Sequence, residues 1–402
     1  MIAIRGARVF DAVDGAVREA TVTVQDGLVS AVGPDAPPGA TVVDGTGATL
    51  LPGLIDCHTH LCATATADII RQMTGDSTTR ATLHAVRNAR AHLAAGVTTV
   101  RDCGALGGVA IELGRAVDEG LVEAARVQAA GLVITMTGGH GYFLGREVDG
   151  VDEVRKATRQ AVKDGAGFVK VMATGGLLTP GVTAGRTAYA PAELAVLVEE
   201  AHNAGLRVAT HAIGLQGIKN ALRAGVDSVE HGFYLDDEAI ELLLARDDVF
   251  LVPTLMGVEC ALASGDALAP WLRAKSEAVV ADREESFRRA HAAGVRFAAG
   301  TDAGTPFNHH GGLAEEIALM TRVGLTPAEA LVAATRHAAA NLGWATGSGR
   351  SRSARWPTWS WSTATRWTIS ARCAGSARSS RPAFPASRPE PRRKGPFLTL
   401  RV

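Results

Sequence analysis

The stretch Pro52-Gly53-Leu54-Ile55-Asp56-Cys57-His58-Thr59-His60 is an apolar run that ends in two histidines spaced i, i+2. In a β-strand, side chains two residues apart share a face, so both imidazoles can reach one metal ion while Thr59 points away. Two histidines meeting by chance in a surface turn is the competing reading of the pair alone. The rest of the chain separates the two.

On its N-terminal side, residues 1–50 read as short strands: Ile2 to Val9, Ala20 to Val24, Val29 to Val32 and Thr41 to Val43. Asp26-Gly27 and Asp44-Gly45 are the turn signals between them. On its C-terminal side, apolar strands alternate with Ala-rich helical stretches, which predicts βα units and a parallel sheet. Eight strands are expected at 53–60, 97–102, 126–134, 168–173, 207–211, 227–231, 249–254 and 296–302. Helices are expected at 78–95, 152–165, 191–204, 215–224, 236–246, 275–293 and 312–323. The predicted architecture is α/β: a (β/α)8 TIM-type barrel over 51–346 beside a small β unit at residues 1–50. In such barrels the reactive side chains sit at the C-terminal ends of the strands.

Bulk properties fit a globular protein of this kind. The 402 residues are 47% hydrophobic, and 41 basic residues balance 41 acidic ones. That balance signals no nucleic-acid partner. Cys57, Cys62, Cys103, Cys260 and Cys373 are an odd set without C-x-x-C spacing, which predicts no disulfide scaffold. With no signal-peptide pattern at Met1-Ile2-Ala3-Ile4-Arg5 and no run of about 18 apolar residues, a cytoplasmic protein without membrane association is expected. A homo-oligomer is compatible with the sequence.

Reading each strand to its end yields His58 and His60 on the first, Lys170 on the fourth, His211 on the fifth, His231 on the sixth and Asp302 on the eighth. Lys170, inside Phe168-Val169-Lys170-Val171-Met172, is one of only six lysines among 41 basic residues. Burial favours the neutral form of an amine, and a neutral amine reacts with CO2 to give a carbamate, an anionic oxygen ligand. The plain alternative is a lysine stem that reaches the strand end.

Together PGLIDCHTH, the lysine of FVKVMATGG, THAIG, VEHG and GTDAG resemble the binuclear metal-dependent amidohydrolase superfamily. More narrowly, TMTGGHG at 135–141 and KVMATGG at 170–176 resemble its branch of Xaa-Pro and Xaa-Arg/Lys dipeptidases and N-acyl amino acid hydrolases. The resemblance extends the small β unit of residues 1–50 to a β-sandwich domain shared with the C-terminus. It spans residues 1 to about 346 and implies two divalent metal ions. His58, His60 and Asp302 would bind one, His211 and His231 the other, and a carbamate on Lys170 together with a hydroxide would bridge them. Imidazole and oxygen ligands suit zinc, and other divalent ions fit such a set too.

The implied reaction is amide hydrolysis of a dipeptide or N-acyl amino acid, with Asp302 as general acid/base. His140, set among Gly138, Gly139 and Gly141, is the candidate hydrogen-bond donor to the substrate carbonyl, unless it is a solvated loop histidine. Tyr234 is a second substrate-binding candidate, with packing on the barrel rim as its alternative. Asn308, His309 and His310 either touch substrate or form a turn. Lactone or cyclic-amide hydrolysis uses the same site. Deaminases of the superfamily carry Glu three residues after the fifth-strand histidine, where this chain has Gly214, and they lack the lysine.

Residues 347–402 change character. From Arg350 onward there are 12 basic residues and a single acid, Glu390, which leaves 29 basic against 40 acidic residues before it. Trp356, Trp359, Trp361 and Trp367 also fall here. Writing Arg355–Ser370 in GC-rich codons and shifting to the third base yields VADLVVVDGDPLDDL, which resembles the family's C-terminal strand. A frameshift near 347–355 is therefore expected, with a small domain that loses edge partners and a protein that is unstable or inactive as the competing outcome. Reading the gene across this region is the test: the hypothesis predicts a displaced frame, and an intact one removes it.

Overall fold

The computed structural model describes residues 1–26, 28–344, 367–370 and 397–399. The chain divides into two compact units, Met1–Leu54 with the tail strands and the residues from Ile55 onward.

In the first unit, β1 (Ile2–Phe10) organises the sheet. It pairs antiparallel with β2 (Val17–Gln25), which pairs antiparallel with β3 (Leu28–Gly33). On its other edge β1 runs parallel to β4 (Thr41–Asp44) through Ile2–Arg5 and to β5 (Thr49–Pro52) through Arg8 and Val9. A bulge between Ile4 and Ala7, where Gly6 takes φ +77°, offsets the two halves of β1 so that each half meets its own neighbour. Ile4, Val22, Val24, Val29 and Leu50 then bury one another.

The second unit carries the barrel. Its strands are β6 (Leu54–Thr59), β7 (Val97–Asp102), β8 (Arg126–Ala129), β9 (Val133–Thr135), β10 (Gly145–Glu147), β11 (Val169–Met172), β12 (Val208–Ala212), β13 (Ser228–His231) and β14 (Phe250–Val252). They form a run β6-β7-β8 and a second run β10-β9-β11-β12-β13-β14. From β7 and from β11 to β14, every strand residue is buried, as expected for parallel strands covered on both faces. The expected third strand is split, because Gly131 at φ +72° interrupts it between β8 and β9. Gly167 N–H donates to Ala129 O and links β8 towards β11.

The eighth expected strand closes the ring without a continuous ladder. Ala298 N–H donates to Leu251 O on one side, while Cys57 N–H donates to Ala299 O and Asp302 N–H to His58 O on the other. Gly300 permits this approach: a Cβ there would lie 2.9 Å from His58 Cβ. All seven expected helices are present, the sixth beginning earlier, at Pro270. Five further helices, Ile69–Gly75, Val109–Asp118, Leu255–Ala263, Pro327–Ala333 and Arg336–Asn341, were not expected. Cys57, Cys62, Cys103 and Cys260 are free and buried. No helix among the described residues is long and apolar enough to cross a membrane.

In the tail, β15 (Trp367–Ser370) pairs antiparallel with β5 and with β16 (Phe397–Thr399). The β5 edge is thus partnered where the sequence reading leaves it open, because a strand ladder is made by backbone groups and tolerates varied side chains. The remaining residues of 347–402, including the expected site of the frame change, lie outside the described residues.

Candidate functional site

The six residues read from the strands line one pocket, together with His140. His58 lies in β6 and His60 just past it, Lys170 in β11, His211 in β12, His231 at the end of β13, and Asp302 in the closing segment. Two of them stand in left-handed backbone: His231 at φ +71° and Asp302 at φ +59°. Such non-glycine conformations cost about 1–3 kcal/mol each and persist where the surroundings hold them.

Nε2 of His60 lies 3.2 Å from Asp302 Oδ1, and Nε2 of His58 lies 3.5 Å from the same oxygen. The ligand atoms of these three residues lie within 4.8 Å of one another. His211 and His231 stack edge to face at 4.5 Å, and His231 is 5.1 Å from His58. The second nitrogen of each ring is already engaged. His58 Nδ1 donates to Glu230 Oε2 at 2.8 Å, His60 Nδ1 to Gly104 O at 3.1 Å and His211 Nε2 to Gly175 O at 2.9 Å. His231 Nδ1 bonds Thr254 Oγ1 at 2.7 Å. Acceptors on one ring nitrogen leave the other with its lone pair, the form a cation binds.

Burial, reinforced by neighbouring positive charge, pushes the pKa values of His58, His211 and His231 well below the usual histidine range. His140 is brought down to about 3, chiefly by burial and then by Lys275 and Lys170. His60 moves the other way: burial opposes its charge, but the hydrogen bond and charge of Asp302 outweigh it. Lys170 is 1% exposed, and its Nζ has no hydrogen-bond partner. An orphaned amine amid four histidines and a carboxylate is what a carbamate ligand would resolve, so the donor set fits a pair of divalent cations.

His140 is placed by glycines and a threonine. A Cβ on Gly176 would lie 2.4 Å from His140 Nε2. Thr179 Oγ1 bonds His140 Nδ1 at 2.9 Å and accepts from Gly141 N–H at 3.3 Å. Other candidates fall elsewhere. Tyr234 is half-buried and is not among the residues lining the pocket. Asn308 Nδ2 donates to Thr301 O and Asp302 O and so pins the turn after Asp302. His310 bonds Ala63 O and His92, and His309 is exposed. Of the two readings of 308–310, the turn is the one the contacts support.

The sequence reading missed Glu230 and Arg101. Glu230 is fully buried and accepts from Arg101 at 2.6 Å and Ser228 Oγ at 2.6 Å, in addition to His58. Arg101, 2% exposed, also donates to Cys57 O at 2.7 Å and lies 5.1 Å from the Phe168 ring centre. The signal was a charged residue, Arg101 or Glu230, near the end of each of two short strands, Val97–Asp102 and Ser228–His231.

The sequence pattern of the amidohydrolase family matches residues 49–350. Ochratoxinase of Aspergillus niger is 31% identical over 362 residues, covering 81% of this chain and 73% of that protein. A prolidase crystallised with N-methylphosphonate-L-proline superposes with a TM-score of 0.80 at 29% identity, over 92% of each chain. A Xaa-Pro dipeptidase with methionine in its active site gives 0.78 at 29% identity, over 86% of this chain and 89% of its own.

Replacing Glu230 by Leu strands the Arg101 guanidinium in the barrel and is expected to lower stability by about 3–5 kcal/mol, whereas adding Arg101→Met recovers most of that loss. Urea unfolding of the two variants measures this; an equal loss in both would show that the pair is not the cause.

Proposed function

This chain belongs to the amidohydrolase family and is a hydrolase of small molecules, and we propose that it cleaves the amide bond of a dipeptide or an N-acyl amino acid with two divalent metal ions. The observation that carries this reading is the partnerless, buried Nζ of Lys170 among His58, His60, His211, His231 and Asp302. In the proposed site His58, His60 and Asp302 would hold one ion and His211 and His231 the other, a carbamate on Lys170 would add oxygen donors, and zinc suits this set. Bound there, the ions would supply a Lewis acid for the scissile carbonyl and bring the pKa of a bound water down towards neutrality.

The chain's own groups do the rest. Asp302, whose side chain keeps 15% of its surface exposed, accepts the proton of the attacking water and returns it to the departing amine. His140 is neutral, and with the Thr179 hydroxyl donating to Nδ1 its proton sits on Nε2, where it can hydrogen-bond the carbonyl oxygen as charge develops. Burial of the pocket strengthens both interactions by excluding water.

Metal-supplemented protein is expected to release free amino acid from members of a library of dipeptides and N-acyl amino acids. Asp302→Asn is expected to lower kcat by about 100- to 10,000-fold. Release of amine from no library member, or an Asp302→Asn variant at full rate, overturns the reading.

A further inference from the structure

The pocket has two unlike walls. One is the histidine, lysine and aspartate cluster; the other is Ile69, Phe143, Leu144, Met172 and Leu178, contributed by four separate segments of the chain. Ile69, Phe143, Leu144 and Met172 are buried, and Leu178 is half-buried. Among the described residues, the only carboxylate lining the pocket is Asp302 and the only lysine or arginine is Lys170, both already part of the proposed metal site.

The apolar wall is held in place. Lys275 Nζ, on the helix Pro270–Ala292, donates to Thr179 O at 2.8 Å and Val182 O at 2.6 Å, with longer contacts to Gly176 O and Leu177 O. One ammonium thereby gathers the loop that bears Leu178. Leu177 and Leu178 pack on Ala261, Leu268 and Leu272. Met172 is fixed similarly closely, since a Cβ on Gly141 would lie 2.8 Å from its Cε.

We propose that the substrate side chain seated against this wall is uncharged and apolar, and that the Lys275-anchored loop carrying Leu178 is the element that selects it. The proposal rests on the amide-hydrolysis reading above. A Lys, Arg, Asp or Glu side chain placed there would be desolvated opposite hydrocarbon with no free partner, whereas Leu, Met or Phe would bury apolar surface against it.

The test uses the metal-loaded full chain and two dipeptide series, one varied at the N-terminal residue and one at the C-terminal residue. In at least one series kcat/KM for Leu, Met and Phe is expected to exceed that for Lys, Arg, Asp and Glu by at least ~100-fold, as for charges buried without partners. In that series Leu178→Glu is expected to shift the ratio by at least ~10-fold towards Lys and Arg, and Lys275→Met to narrow the discrimination. A smaller ratio in both series, or a ratio unmoved by Leu178→Glu, overturns the assignment of the wall while leaving amide hydrolysis standing. No turnover in either series, together with none of the N-acyl amino acids of the library above, removes the hydrolysis reading and this proposal with it.

Discussion

A polar group taken out of water must find a partner, and leaving it without one costs roughly 2–7 kcal/mol even when neutral. Lys170 is in that position: its amine is sealed in the barrel and accepts or donates no hydrogen bond. Five histidines and a carboxylate share its pocket. His58 and His60 approach from β6, His211 and His231 from β12 and β13, and Asp302 from the segment that closes the ring. Carbamate formation would replace an unpaired amine by oxygen atoms between these donors, so the same constraint that destabilises the bare lysine favours the metal-loaded state.

A second layer holds the first. The Arg101–Glu230 pair is buried across β7 and β13, and Glu230 fixes His58 with its Nδ1 protonated. Buried ion pairs are poor sources of stability compared with apolar packing, which makes orientation of His58 the more economical reason for this one. Backbone strain at His231 and Asp302 falls on the same ring of residues, where ladder hydrogen bonds and the glycine at position 300 keep the chain close enough to hold it.

Much of this was legible in the sequence because a parallel barrel brings strand ends together. Once His58, Lys170, His211, His231 and Asp302 are read as strand-end residues, their convergence follows from topology. The Arg101–Glu230 pair was not legible, since its partners lie 129 positions apart and nothing in either strand names the other. The 308–310 segment was weighed as a substrate contact for following Asp302 in sequence, but loop direction is set by local hydrogen bonds such as those of Asn308, which periodicity does not reveal. The helix Val109–Asp118 was overlooked although it is amphipathic, burying Val109, Ile111 and Leu113 and exposing Glu112 and Arg115.

The small sheet and the barrel differ in what they demand of sequence. The β5 edge pairs with the unusual tail strand through its backbone ladder, whereas the pocket depends on particular side chains, all of which precede residue 347. Elemental analysis of the purified full chain beside its Lys170→Ala variant tests the central claim most directly. About two divalent ions per wild-type chain, with a clear loss in the variant, is the predicted result. A wild-type chain that binds none, or a variant that keeps both, would contradict it.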